Sequence, residues 1–401
     1  MLQCFKVCFI IKKSEVVILH NFNFIFKYNG SHGNKRKIRI SNKHLNKQII
    51  CQINNTQFGA FVLNQIIDFV NSLNSALKGF PIVFYFSKPI KLRDKLSYII
   101  FECICYYLIE QGYVVIVRMK CSHDIRTCGI QYSPLQLLQN GNCDKFVKKF
   151  NNEIYGNHFC KLITEQTKKN PAFLSLLYTE IDLFLKNVGI NDSRRDEVSQ
   201  TISELIGNAC EHTFSDCYFD IDIADDYYKI NDDMNVDTTI KYYGINIVIL
   251  DFSEKLLNDG IKDRIKNIPQ NVDRYKKLLE AYNYHKQFFG SEYTEDDFFN
   301  IATFQNRISG NPNKEEVGGT GLTYLIKSLQ EKSDSDDCYV LSGNNIIYFQ
   351  KEFLIYNEDW IGFNESNDFF HCVPSQEVLN RSQMFFSGTA YNLNFVMKSE
   401  D

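Results

Sequence analysis

Apolar and polar positions follow two rhythms along the chain. Residues 58–77, FGAFVLNQIIDFVNSLNSAL, and 92–112, LRDKLSYIIFECICYYLIEQG, repeat their apolar positions at helical spacing, and Gly112 stops the second segment. Residues 81–87, PIVFYFS, and 113–120, YVVIVRMK, are short and continuously apolar, as in strands buried on both faces. Strand, helix, glycine, strand predicts a β-α-β crossover with a parallel pair. Ahead of it, EVVILHNFNFIFKY (15–28) and KIRIS (37–41) flank a Gly/Asn/Ser turn at 29–34. That arrangement predicts a hairpin.

Residues 121–150 are polar and turn-rich, which places a boundary near 140. Residues 1–140 then form an N-terminal α/β regulatory domain and residues 145–401 a second domain. The second opens with helices at 171–188 and 194–213. β-rich stretches follow at 217–228 and 240–251, then a long irregular region at 262–317. A helix at 321–331 and β-rich stretches at 337–356 and 385–397 complete it. Helices before strands suggest an α+β two-layer sandwich. A connection as long as 262–317 is improbable as inert chain and reads as a lid or binding element.

Composition narrows the classes. Across 401 residues, 44% are hydrophobic and 23% charged, which excludes a disordered or fibrous chain. The net charge of −4 gives no global attraction to nucleic acid or anionic membrane. It is unevenly spread: residues 1–50 carry ten Lys/Arg and one acid, while 332–401 carry four basic and eleven acidic residues. The basic run Lys35-Arg36-Lys37-Ile38-Arg39 has the chemistry to touch phosphates. Ile38 and Ile40 alternate with Lys37 and Arg39, so the run reads as a solvated hairpin face, and no nucleic-acid partner is expected.

The thirteen cysteines contain no C-x-x-C pair and no zinc-ligand spacing. An odd number inside apolar runs reads as reduced, buried thiols in a cytoplasmic protein. The most apolar stretch, 96–109, is interrupted by Glu102 and reads as a core helix, so no membrane span is expected. The N-terminus lacks a basic start and a small-residue cleavage site, so no targeting signal is expected.

Two segments carry candidate chemistry. In EVSQTISELIGNACEHTF (197–214), Val198, Ile202, Leu205, Ile206 and Ala209 form one apolar stripe. Glu204 and Asn208 lie four apart and project together; His212 extends that row by one turn. In KEEVGGTGLTYLIKSLQE (314–331), Gly318, Gly319 and Gly321 precede an apolar helix. Glycines at a helix start leave backbone N–H groups free for a phosphate. The pattern is neither a G-x-x-x-x-G-K-[ST] loop nor a G-x-G-x-x-G fingerprint.

Taken in order, these segments resemble the GHKL family of histidine kinases, type II topoisomerases, mismatch-repair ATPases and Hsp90-type chaperones, which also includes the anti-sigma-factor serine kinases. ELIGNACEHT (204–213) looks like its N box, GGTGL (318–322) like its G2 box, and FSGTAYNLNF (386–395) like its terminal Gly-Thr strand. INIVILDF (245–252) ends in Asp251, where the family carries D-x-G-x-G. The resemblance implies a Bergerat-type two-layer α+β domain that binds ATP and Mg²⁺, with 262–317 as the ATP lid.

By that resemblance, Asn208 coordinates Mg²⁺ and Glu204 is the catalytic group that polarises water or orients a phospho-acceptor. Asp251 accepts from the adenine amino group. Gly318, Gly319, Thr320, Gly321 and Leu322 belong to the phosphate cradle, and Thr389 holds the adenine side. His212 has two equal readings, a helix-end hydrogen bond or support near the phosphates. The sequence departs from the family after Asp251, where Phe252 and Ser253 replace the small residues; Asp259-Gly260 is the alternative, displaced box.

Three functions stay open: a nucleotide-gated regulatory ATPase, a serine/threonine kinase of the anti-sigma type, and a non-catalytic module with a degenerate box. His123 and His158 lack the phospho-acceptor context, which argues against a sensor histidine kinase. Besides ATP, the expected partner is another protein or a second copy of the chain. Residues 81–118 are weakly similar to STAS-type modules, and Ser87 or Ser97 would be the phosphorylatable positions of such a module.

Overall fold

The computed structural model describes residues 23–27, 29, 40–41, 47–74, 77–122, 129–210, 215–227, 242–266, 273–310, 321–332 and 338–398. The fold is mixed α/β, with parallel and antiparallel sheets. The first part contains α1 (Asn23–Lys27), β1 (Ile40–Ser41), β2 (Gln48–Ile53), β3 (Gln57–Phe58), α2 (Ala60–Asn71), β4 (Ile82–Phe86), β5 (Lys91–Leu92), α3 (Lys95–Glu110) and β6 (Val115–Arg118). The predicted crossover is present: β4 and β6 run parallel on either side of α3 in sequence, and β2 joins β4 in parallel. The sheet order is β1-β2-β4-β6, and β3 pairs separately with β5.

A short 3-10 helix, Pro134–Asn140, leads to α4 (Cys143–Asn151), β7 (Asn152–Tyr155) and β8 (His158–Ile163). Next come α5 (Glu165–Lys168), α6 (Phe173–Val188), α7 (Asp192–Cys210), β9 (Cys217–Tyr227) and β10 (Tyr242–Asp251). Then follow α8 (Asp259–Lys266), α9 (Asp273–His285), α10 (Glu295–Ala302), α11 (Gly321–Lys332), β11 (Tyr339–Tyr348) and β12 (Leu379–Lys398). Six of these strands form one antiparallel sheet, ordered β11-β12-β10-β9-β8-β7. Gly189, at φ +97°, ends α6 in the left-handed conformation that glycine adopts without penalty.

Period-2 alternation divides the faces of this sheet. Ile245, Ile247 and Ile249 on β10 join one core with α6, α7, α9, α10 and α11. Val248, Leu250 and Phe252 join the other, with α2, α3 and α4. Helix α3 explains why both faces are apolar. Its N-cap Asp94 accepts from the Ser97 amide at 2.6 Å, and thirteen of its sixteen residues are buried. A helix apolar all round needs cover on every side. It receives that cover from the parallel sheet and from the antiparallel one.

Several expectations change. Asn23–Lys27 is helical, not strand, because Ile25 enters the core and Asn29 holds the chain to β12. Asn29 accepts from the Phe385 amide at 2.7 Å and donates to the Phe385 carbonyl at 2.5 Å, as a strand neighbour would. β1 pairs with β2, a strand absent from the sequence reading. The run Lys35–Arg39 lies outside the described residues.

The second half opens with a helix and two strands, α4, β7 and β8, rather than with helices alone. One face of the antiparallel sheet is covered by α6, α7 and α9–α11, and α2, α3 and α4 add a layer on the other. The stretch 262–317 is not irregular where it is described. Tyr275, Leu278 and Ala281 recur at helical spacing in α9 and are buried. Thr294 and Asp297 form a reciprocal capping box that starts α10, whose Phe298 and Phe299 are also buried. No described helix is long and apolar enough to cross a membrane, and the ten described cysteines are free.

Candidate functional site

One end of the antiparallel sheet carries a polar row. Cys217 on β9, Asp251 on β10, Thr389 on β12 and Ser342 on β11 pair directly in turn. All four are buried. Asp251 stands in phase with Ile245, Ile247 and Ile249, so the row occupies the face covered by α7 and α11. The neighbouring Gly388 adopts φ +97°, and a Cβ placed on it would lie 2.0 Å from the Asp251 carbonyl oxygen. Only glycine permits that approach. Ser342 Oγ donates to the Gly388 carbonyl at 2.7 Å and accepts from the Leu257 amide at 2.9 Å.

Phe252 does not crowd this face. Its ring enters the opposite core, 5.7 Å from that of Phe386. Ser253 turns back and donates its hydroxyl to Asp251 Oδ2 at 3.0 Å, and Ser215 also hydrogen-bonds the carboxyl. Burial pushes Asp251 up to about 7, against the opposing effects of Ser215, Ser253 and the Lys168 charge. Its proton is therefore exchangeable near neutrality.

Helix α7 packs on β9, β10 and α11. Its apolar stripe of Val198, Ile202, Leu205, Ile206 and Ala209 is buried as the spacing predicts, while Glu204 and Asn208 are half-buried. At the end of α7, Cys210 hydrogen-bonds Cys217 of the polar row, an interaction that lowers the Cys210 thiol and raises that of Cys217. The opposite end of the helix is tied to α11: Thr201 Oγ1 lies 3.1 Å from Ser328 Oγ, which donates to Glu197 at 3.2 Å. The segments carrying Glu204, Asn208, Asp251, Thr389 and Gly321 thus belong to one stretch of sheet and the two helices over it.

Gly321 is the first residue of α11, and Leu322 is half-buried against the core. His212, Gly318, Gly319 and Thr320 lie outside the described residues. Asp259 begins α8 and spends its carboxylate on the Leu256 amide at 2.8 Å. Gly260 packs against the backbone of Gly310, where a Cβ on Gly310 would meet Gly260 Cα at 2.7 Å. That glycine pair provides a close crossing of two chain segments.

Compared with family models, with curated proteins and with solved structures, the chain finds no match.

The opposite face of the sheet holds a second polar group that the sequence reading missed. His158 and Cys160 on β8 pair with Asp222 and Asp220 on β9. Lys95, on the first turn of α3, reaches Asp220 Oδ1 at 2.5 Å and donates to the Asn246 carbonyl at 3.1 Å. His158 Nε2 lies 2.8 Å from Asp220 Oδ2. Burial alone would raise Asp220, but Lys95 and His158 outweigh it and hold the carboxyl at about 2. Asp222, with less direct help, is pushed by burial up to about 6. Burial, then the Asp220 charge, pushes Glu102 on α3 well above the carboxylate range; Ser133 donates to it. The signal was an H-x-C pair on one strand, two residues apart, with Asp220 and Asp222 repeating that spacing on another. Local spacing alone does not pair them; the sheet register does.

Proposed function

We propose that the antiparallel sheet with α7 and α11 is an ATP·Mg²⁺ site of GHKL type, and that the protein is a nucleotide-gated regulatory ATPase. The observation that carries this reading is the direct pairing of Asp251 with Thr389 beside the close Gly388 backbone, on the face that α7 covers. The residue types suit the ligand. A carboxylate accepts from an adenine amino group, a threonine hydroxyl takes an adjacent ring position, and a carboxamide oxygen is a hard ligand for Mg²⁺. In this reading Asn208 binds the metal, Glu204 orients and deprotonates the attacking water, and Asp251 selects adenine. Gly321 and Leu322, with Gly318, Gly319 and Thr320 before them, bind the phosphates through backbone N–H groups. Bound Mg²⁺ would supply charge neutralisation of the phosphates. The helical segment α8–α10 is the element that would respond to nucleotide and change a partner or dimer surface. The Bergerat-type fold and a STAS-like first unit belong to the same proposal.

A second reading has its own support. Ser253 and Ser215 already hydrogen-bond the buried Asp251 carboxyl. A carboxyl held in this way suits a module that keeps the scaffold and has given up the nucleotide. Calorimetry with ATP and Mg²⁺ on the folded protein separates the two: measurable one-site binding supports the first, and silence supports the second. If ATP binds, incubation with γ-labelled ATP separates hydrolysis, which releases free phosphate, from kinase activity, which labels protein.

A further inference from the structure

We propose that His158, Cys160 and Asp220 form a binding site for a divalent ion of the zinc class, on the sheet face opposite the nucleotide candidate. One donor atom from each residue lies within 4.8 Å of the other two, and all three residues are buried. Strand pairing fixes the arrangement. Cys160 stands directly opposite Asp220, and His158 lies two positions along the same strand, so all three project from one face. Imidazole, thiolate and carboxylate together are a borderline-soft set that suits zinc; Mg²⁺ and Ca²⁺ prefer oxygens alone.

The surroundings are those of a ligand site. Asp220 divides its oxygens, with Oδ1 on Lys95 and Oδ2 toward His158 Nε2. An ion would replace the proton between Nε2 and Oδ2, while Lys95 keeps Oδ1 as an outer-shell partner of a monodentate carboxylate. His158 Nδ1 and Asp222 Oδ2 are both buried without a hydrogen-bond partner, on residues that pair across the strands. A histidine that binds through Nε2 carries its proton on Nδ1 and needs an outer-shell acceptor; the Asp222 carboxylate, on the paired residue but not in hydrogen-bond contact with Nδ1, would turn to it on binding. Charge also closes. A divalent ion together with the Lys95 ammonium balances one thiolate and two aspartates. Binding takes from Cys160 a weak thiol bond to the Lys149 carbonyl at 3.4 Å and its proton, which burial and the Asp220 charge hold on the sulfur until an ion displaces it. With every ligand at most 2% exposed, the ion holds β8 and β9 in register beneath α3 and has no access to substrate.

The test uses the full chain, freed of metal by chelator and titrated with Co²⁺ in the absence of nucleotide. The expected result is one equivalent bound and a near-ultraviolet thiolate-to-cobalt charge-transfer band. Cys160→Ser removes the charge-transfer band, and Cys372→Ser, at a half-buried thiol elsewhere, keeps it. A parallel measurement needs no variant. One equivalent of Zn²⁺ raises the melting temperature of the wild-type protein and Mg²⁺ does not. No charge-transfer band in the wild type, a band that survives Cys160→Ser, or a melting temperature indifferent to Zn²⁺ overturns the proposal. The nucleotide reading plays no part in any of these outcomes.

Discussion

Asp251 and Thr389 face each other across the seam between β10 and β12, and Gly388, one residue before Thr389, carries its Cα against the Asp251 carbonyl. The pairing joins two segments 138 positions apart in the chain. A glycine at φ +97° lets the backbone come that close. Gly388→Ala therefore loses both a favourable conformation and the space. It should destabilise the protein by more than about 1 kcal/mol, read as a lower urea midpoint, and in the nucleotide reading it should weaken ATP as well.

Asp251 makes stability depend on pH in a defined direction. Its carboxyl is raised from 3.8 to about 7 in the fold. Between those values the folded chain holds a proton that the unfolded chain has released, so stability falls as pH rises through the window, by at most about 1.4 kcal/mol per unit. Lys168, Cys210, Cys217 and Tyr391 are the other titratable groups coupled to it. Asp251→Asn should flatten this part of the profile, measured by denaturation at several pH values. ATP that prefers the ionised carboxylate should bind roughly tenfold tighter at about pH 8 than at about pH 6.

On α7 the two half-buried polar residues make separable predictions. Glu204→Ala should leave ATP affinity intact and reduce turnover at least about a hundredfold. Asn208→Ala should weaken binding only when Mg²⁺ is present. Calorimetry with and without Mg²⁺, alongside phosphate release, reads both effects. Equal losses with and without the ion would remove Asn208 as a metal ligand.

Lys95 and Asp220 are nearly inaccessible to water and carry opposite charges. Lys95→Met takes the ammonium from Oδ1 of a buried carboxylate and leaves His158 on Oδ2, so it should cost up to about 3–5 kcal/mol in metal-free protein. Asp220→Asn added to it should restore much of that loss. A double-mutant cycle by chemical denaturation measures the coupling, and a coupling near zero would contradict the burial seen here.

The α8–α10 segment should behave as core rather than as loose loop. Phe298 is wholly buried among Tyr282, Phe299 and Phe369. Phe298→Ala should therefore cost about 3–5 kcal/mol. A cost under about 0.5 kcal/mol would return the segment to the status of a surface loop.

Much of the architecture was legible because burial leaves a periodic trace. α2, α3, β4 and β6 were readable from apolar spacing, and the stripe on α7 showed which side meets the sheet. β2 and β8 were hidden, since QIICQI and HFCKLI are short and mix polar with apolar residues. The helices of 259–310 were hidden by charge. Asp, Glu, Lys and Arg crowd their outer faces, and the capping box at Thr294 was the available cue. The candidate nucleotide residues were readable as local motifs. The His158–Cys160–Asp220 group was not, since strand register brings those positions together across 62 residues.

Helix α3 has a further consequence. Because it is enclosed by one sheet on each side, neither half of the chain has a finished surface of its own. Cutting the protein between the parallel and the antiparallel sheet would expose Val248, Leu250, Phe252 and Phe386 to water, together with the apolar flank of α3. The two halves should therefore melt in a single cooperative transition, and a fragment of either should aggregate. A displacement of α3 would be felt by both sheets at once, which makes this helix a mechanical linkage between them rather than a spacer.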